Sequence, residues 1–361
     1  MEEVKVTVYL STYNQAPYIA QALDSVLMQK TSFPFEVLVA DDCSTDETQK
    51  IALEYQARYP EIVRTYFTPV NVGGCKKLTE CIDKGLFRGE YLSYLEGDDY
   101  WLGEDRLQVL VDFLDAHPEY SRVAHRRKMI NEKDEFLGLD TDEAILNRAF
   151  GVDELMEGYT YSDFGSVFRN YFRQAGDRYH PILLASRNAY DFQDLFITQD
   201  FGPVYVMDRV FGVYRCRSVA GESNYKSIMS AEKIDLDKIR VCRVMEEFYQ
   251  GKYDLTPRIL TAQRALFQNA ALARSAEALQ TARSVTDAGT TLWLLTKELY
   301  LAKRGKKRET AQFLREQLTA REKAVMPFSM ARYIVWRAWK KLRREPYETE
   351  RRAYLKQKTG E

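Results

Sequence analysis

Residues 91–101 read YLSYLEGDDYW, an apolar stretch that ends abruptly in three carboxylates, Glu96, Asp98 and Asp99. Three acids within four residues repel one another unless a cation sits among them. Hard cations such as Mg²⁺ or Mn²⁺ take oxygen ligands, usually one or two carboxylates plus the phosphates of a substrate. Gly97 permits a tight turn and close approach of a ligand to the backbone. A solvated acidic loop is the plainer reading, but it leaves unexplained why the acids follow a buried strand so closely.

Outward from this stretch, strand and helix patterns alternate. Val4 to Leu10 is a Val-rich strand, and Ile19, Leu23, Val26 and Leu27 recur at helical spacing within 16–30. Phe35 to Ala40 is the near-continuous apolar run of a strand buried on both faces. A helix is expected over 45–58, with Ser44 and Glu47 at capping-box spacing. A strand over 62–67, a helix over 76–87 and a fourth strand over 90–95 follow. This order gives an α/β fold with an open, mostly parallel sheet and helices on both faces, whose ligands sit beyond the carboxyl ends of the strands.

Two further strand ends therefore matter. Ser11-Thr12-Tyr13-Asn14 offers hydroxyls, an amide and backbone N–H groups to a base or ribose, although a plain turn explains it as well. Asp41-Asp42 closes the second strand. Two carboxylates there are costly without donors, which a ribose diol or the N–H of a uracil-like base would supply. A polar turn with a helix cap needs only one of them.

The bulk numbers fit a globular protein of 361 residues with 45% apolar and 29% charged residues. The net charge of −1 hides an asymmetry: from Leu301 onward 18 Lys and Arg face 7 Asp and Glu, which leaves the first 300 residues at −12. A basic tail suits nucleic acid or an anionic membrane surface. The five cysteines (43, 75, 81, 216 and 242) are odd in number and form no CxxC pair, so neither a disulfide framework nor a zinc site is expected. The chain opens straight into a strand pattern and has no run of about 18 apolar residues, which points to a cytoplasmic protein without a signal peptide or membrane span.

Taken together, the three strand ends resemble the family 2 glycosyltransferases of the GT-A fold. The likeness rests on YLSTYNQAPYIAQALDSVLMQ (9–29), VLVADDCSTDET (37–48), NVGGCKKL (71–78) and YLEGDDYW (94–101). The resemblance implies that Ser11, Thr12, Tyr13, Asn14, Asp41, Asp42, Gly73 and Asp98 line a nucleotide-sugar, UDP-linked by preference. It implies that Asp99, Asp98 and Glu96 hold Mn²⁺ or Mg²⁺ on the diphosphate, Glu96 standing where an Asp is usual. Trp101 follows on the acceptor side.

Past residue 101 the likeness thins. SDFGSVFRN (162–170) is similar to an acceptor-side segment and singles out Ser166 and Arg169; AYDFQDLFI (189–197) falls where the family places its base, Asp191 or else Asp194. The plain alternative is that Asp191 caps a helix. VFGVYRCRSVAGES (210–223) resembles the closing segment with Arg217 in place of a His; Arg cannot ligate a metal but can pair with phosphate. Arg215 reads as structural. His117, His125 and His180 have no metal-ligand spacing.

The expected organisation is a catalytic domain over 1–228, with a nucleotide-sugar half over 1–101 and an acceptor half over 102–228. A helical domain over 229–326 and a basic amphipathic helix over 327–361, opened by Pro327, complete it. In that helix Phe328, Ala331, Val335, Ala338, Trp339 and Leu342 recur at helical spacing among Arg and Lys. It suits a membrane interface, packing on the catalytic domain, or a partner helix. The expected activity is metal-dependent, inverting transfer to a glycan, lipid-linked or protein-linked acceptor, as in polysaccharide biosynthesis, with no nucleic-acid partner. Two other functions compete. A sugar nucleotidyltransferase is disfavoured because STYNQAPY lacks the Gly-rich, basic loop of that class. A non-catalytic nucleotide- or glycan-binding protein is disfavoured by the full set of acids.

Overall fold

The computed structural model describes residues 3–216, 230–305 and 307–342. Contacts divide the chain into two units: residues 1–230 with 244–253, and residues 231–243 with 254–361.

The first unit begins with β1 (Val6–Thr12), α1 (Ile19–Leu27), β2 (Phe35–Asp41), α2 (Thr48–Arg58), β3 (Val63–Phe67), α3 (Gly74–Asp83) and β4 (Tyr91–Glu96). It continues with β5 (Tyr100–Trp101), α4 (Arg106–Ala116), β6 (Arg122–Ile130), β7 (Phe136–Leu139), β8 (Arg148–Phe150) and α5 (Val152–Glu157). Then come β9 (Ser166–Arg169), α6 (Phe172–Ala175), α7 (His180–Leu183), α8 (Asp191–Gln199) and β10 (Val204–Arg215).

The sheet order is β3-β2-β1-β4-β9-β6-β10-β5, with β7 on β6 and β8 on β10. The first four strands are parallel and all seven residues of β1 are buried, which explains their Val- and Leu-rich composition. The second half mixes directions: β9 is antiparallel to β4 and β6, while β10 runs parallel to β6 and antiparallel to β5. The chain leaves β1 on one side toward β2 and returns on the other at β4. The carboxyl ends of these two strands therefore form the switch point at which such sheets bind ligands. Val6, Val8, Leu10, Val37 and Val39 pack with Leu107, Leu110 and Leu114 of α4 in the core beneath.

Two local expectations change. Helix α2 starts at Thr48, not 45, and there is no Ser44–Glu47 box: Asp46 Oδ1 accepts from the Thr48 N–H at 3.0 Å, while the Ser44 hydroxyl bonds Asp41. The last helix runs Ala320–Leu342 with Pro327 inside it. It opens on a capping box in which the Thr319 N–H donates to Glu322 Oε2 at 2.8 Å and the Glu322 N–H donates to Thr319 Oγ1 at 3.2 Å. Reciprocal capping satisfies orphan N–H groups that a proline start at 327 would have left to the preceding turn. Within this second unit, helices Ala276–Ser284 and Ala288–Arg304 are capped by Ser275 and Asp287. The Arg283–Glu322 pair, 2.5 Å, ties the first of them to the last helix.

A buried ion pair in the first unit decides one of the site assignments. Arg122 lies fully buried at the start of β6, pairing with Asp163 and Asp194, and the Tyr171 hydroxyl also donates to Asp194. Removing one partner of a buried pair strands a charge and costs about 3–5 kcal/mol. Asp194→Ala is therefore expected to lower the thermal midpoint sharply, whereas Asp191→Ala, at an exposed position, leaves it nearly unchanged. Equal midpoints for the two variants in a melting experiment would contradict this packing.

Candidate functional site

At the switch point the strand ends lie level with one another. Thr12 pairs with Asp41, and Ser11 pairs with Glu96. The Gly97 N–H donates to the Ser11 carbonyl at 2.9 Å and the Asp42 N–H to the Thr12 carbonyl at 3.1 Å, so three loops are stitched at one edge. Gly97 is required by this closeness: a Cβ there would lie 2.5 Å from Gln15 Oε1 and 3.0 Å from Thr12 Oγ1.

The first acidic turn satisfies itself. Asp41 is fully buried; its Oδ1 accepts from the Ser44 N–H at 2.8 Å and Gln49 Nε2 at 2.6 Å, and its Oδ2 from the Ser44 hydroxyl. Asp42 accepts from the N–H groups of Val72 and Gly73, both at 2.8 Å, and from Thr68 Oγ1 at 3.1 Å. The donors expected from a base or ribose are thus supplied by the protein. Asn14, at a φ of 50°, locks the same turn: its Oδ1 accepts from the Thr45 N–H at 2.8 Å and its own N–H donates to Ser44 Oγ. Gly73, at a φ of 93°, gives its N–H to Asp42, not outward. Ser11 and Thr12 are buried, and Tyr13 is half-buried.

Beneath these turns lies a cation that sequence reasoning missed. Lys77 of α3 is buried, and its Nζ donates to the Ala40 carbonyl (2.9 Å), the Thr12 carbonyl (3.1 Å) and Ser11 Oγ (3.2 Å). Burial lowers its pKa, against the pull of the nearby Glu96, Asp42 and Asp41 charges. The signal was a lysine one helical turn before the buried Cys81.

The second acidic loop divides its carboxylates by direction. Asp99 is buried; its Oδ1 accepts from the Arg215 N–H at 2.9 Å and its Oδ2 from Arg127 Nη1 at 2.9 Å. Arg127 also meets Asp140 at 2.8 Å. This corrects Asp99 as a metal ligand, because both oxygens face protein donors inside. Asp98 and Glu96 are half-buried at the edge. Arg215 braces the loop, donating from Nε to the Asp98 carbonyl at 3.2 Å and from Nη2 to Gln21 Oε1 at 3.2 Å. Burial, then the Asp98 charge, push Glu96 up to about 8; burial raises Asp99 to about 7 although Arg127 opposes it. No group of three or more His, Cys, Asp or Glu among the described residues is placed to hold a metal alone. Glu96 and Asp98 match the alternative, one or two carboxylates completed by phosphates.

Asp191 is the exposed first residue of α8, and its charge is among those acting on Glu96. The loop before it docks on the Asn71–Gly74 turn: the Cys75 N–H donates to the Arg187 carbonyl at 3.1 Å, and Arg187 Nη2 donates to Asn71 Oδ1 at 2.8 Å. Asp191 lies inside the first helical turn, so Tyr190, not Asp191, is the cap residue. Asp194 is corrected as a base, since it is buried against Arg122.

Three further acceptor-side residues are held by contacts within the protein. Arg169 pairs with Tyr91 at the opposite end of β4 and donates to the carbonyls of Tyr120 (3.0 Å) and Leu114 (2.8 Å), far along the strand from Glu96. Ser166 is fully buried and donates to the Asp163 carbonyl. Trp101 is buried, with the Arg106 guanidinium 3.8 Å from its ring centre. Arg217 lies outside the described residues.

A switch-point edge carrying acids over a half-parallel, half-mixed sheet defines a GT-A-type α/β domain. The solved structure of S. aureus TarS with UDP shares this fold at TM-score 0.55 and 18% identity, covering 87% of this chain and 90% of that one. The complex of the same protein with UDP-GlcNAc aligns at 0.53 and 19%, covering 87% and 91%. An uncharacterised Mycobacterium tuberculosis protein is 43% identical over 121 residues, 34% of each chain. The poly(ribitol-phosphate) beta-N-acetylglucosaminyltransferase TarS of Staphylococcus aureus is 35% identical over 117 residues, 32% of this chain and 19% of that one. These sequence matches span about a third of the first relative's length and about a fifth of the second's. The family model of Glycosyl transferase family 2 matches residues 7–177 of the chain.

Raised carboxyl pKa values make a stability prediction. Between about pH 5 and pH 8 the folded chain holds more protons on Glu96 and Asp99 than the unfolded chain does, so these two groups make stability fall as pH rises, against the opposite contribution of His125, which burial keeps neutral. Melting in EDTA across that window is expected to show the stability of Glu96→Gln rising relative to the wild type as pH rises. A difference between the two proteins that does not change with pH would contradict the electrostatics described.

Proposed function

We propose that the chain transfers a glycosyl group, with inversion, from a nucleotide-diphosphate sugar, UDP-linked by preference, to a hydroxyl of a glycan, lipid-linked or protein-linked acceptor. The observation that carries this reading is the convergence of the 11–14 turn, the 41–42 turn, the Glu96–Asp98 edge and Asp191 at one switch point. TarS, which shares the fold, was solved with UDP and with UDP-GlcNAc.

In this reading the self-satisfied turns at Asp41 and Asp42 form a rigid rim for base and ribose, shaped before the nucleotide arrives. Preformed rims lose less entropy on binding. Glu96 and Asp98 would hold Mn²⁺ or Mg²⁺, which supplies positive charge against the departing diphosphate. Asp99 holds that loop from beneath. Asp191 takes the proton of the acceptor hydroxyl as its oxygen attacks the anomeric carbon. Arg217 remains a candidate partner of the diphosphate.

The chain is also proposed to touch the membrane peripherally through its basic last helix. Phe328 and Val335 are 75% and 68% exposed there, while Met326 and Tyr333 form the buried side. No helix among the described residues is long and apolar enough to cross a membrane.

Calorimetry with UDP, GDP and dTDP, with and without Mn²⁺, tests the donor side. One nucleotide is expected to bind in a metal-dependent manner, with that dependence lost in Asp98→Ala. Absence of binding by any of the three with metal present would refute the reading. For the chemistry, Asp191→Asn is expected to lower kcat by about 10²- to 10⁴-fold with donor KM little changed. Wild-type turnover in that variant would remove Asp191 from the mechanism.

A further inference from the structure

We infer that the face of the sheet formed by β5, β10, β6 and β7 is a binding trough for the sugar chain of the acceptor. This deepens the transferase reading above and rests on it. A recess of about 440 Å³ opens there, lined by Tyr100, Leu102, Lys128, Ile130, Asp134, Phe136 and Val213. Strand register explains the lining. Val213 pairs with Tyr100 on one side and Lys128 on the other, so these three form one row across three strands. Ile130 lies two residues beyond Lys128 and pairs with Phe136, extending the same face. The neighbouring residues Asp99, Arg127 and Tyr214 alternate to the other side, where Arg127 lies 4.7 Å from the Tyr214 ring centre.

The lining has the chemistry of a carbohydrate site. Tyr100, Leu102 and Phe136 offer apolar faces for sugar C–H groups over a floor of buried Val213 and Ile130, and Lys128 and Asp134 supply a few polar groups for orientation. Phe136 is 63% exposed and so leaves an aromatic face open to a ligand beside the recess. The trough is continuous with the proposed donor site. Tyr100 directly follows Asp98 and Asp99, and Arg215 bridges the two regions, donating to the Asp98 carbonyl and to Asp134 Oδ1 at 2.5 Å. A chain lying in the trough would thus present one end to the acidic edge. This continuity selects the acceptor glycan as the occupant.

The test uses the full chain on an array of bacterial oligosaccharides that includes polyol-phosphate chains, with UDP binding in Mn²⁺ measured in parallel. Phe136→Ala and Lys128→Ala are the variants, since both side chains are exposed and neither belongs to the proposed catalytic group. The wild type is expected to retain a defined set of glycans, and Phe136→Ala to weaken that retention about tenfold with UDP binding unchanged. Wild-type retention by both variants, or no glycan retained by a wild type that binds UDP, would overturn the trough. Failure of the wild type to bind UDP would instead strike the transferase reading, and the array would judge the trough separately.

Discussion

Asp99 sits between the Arg127 guanidinium and the Arg215 N–H, and most of the candidate site hangs on that clamp. One short loop must carry Glu96, Asp98 and Asp99 at the end of a buried strand. Their mutual repulsion would open it unless the protein supplied cations and N–H groups from below. Arg127 and Arg215 do this from β6 and β10, while Lys77 does it from α3 beneath the neighbouring strand ends. The compensation is partial. Glu96 still lies at about 8, a carboxyl held well above its ordinary range by burial and by Asp98. A site left with surplus negative charge at its rim suits a ligand set that includes a cation.

The same logic separates residues that hold the site from residues that face a ligand. Asp42 accepts from the Gly73 N–H, and Asp41 and Asn14 accept from Ser44 and Thr45, so these side chains brace the 41–46 and 71–74 turns. Asp194, Arg169 and Ser166 are buried in the second half of the sheet, in an ion pair or in hydrogen bonds with the backbone. Glu96 and Asp98 are half-buried and Asp191 is exposed, and these three are the ligand-facing set in the proposed reading.

Much of the fold was legible. The alternation of β-branched runs with helical periods marks β1 to β4 within a few residues, because a parallel sheet covered on both faces allows little else in those strands. The acidic strand ends were legible for the same reason, since a carboxylate after a buried run stands out. The direction in which each carboxylate points was not. Asp98 and Asp99 are adjacent and identical in sequence; Arg127 of β6 and the Arg215 N–H of β10, both distant in the chain, turn Asp99 inward. Long-range pairing likewise conceals the Arg122–Asp194 pair and the far-end position of Arg169. Pro327 misled because its usual place is a helix start, whereas the Thr319–Glu322 box had already begun the helix.

The division of labour within the 96–99 loop is the central claim, and a crystal structure of the chain with UDP and Mn²⁺ tests it most directly. The account predicts the diphosphate beyond the ends of β1 and β4, the metal on Asp98 with or without Glu96, and Asp99 still bonded to Arg127 and the Arg215 N–H. A metal ligated by Asp99 with the Arg127 pair broken, or a nucleotide bound away from this edge, would contradict it.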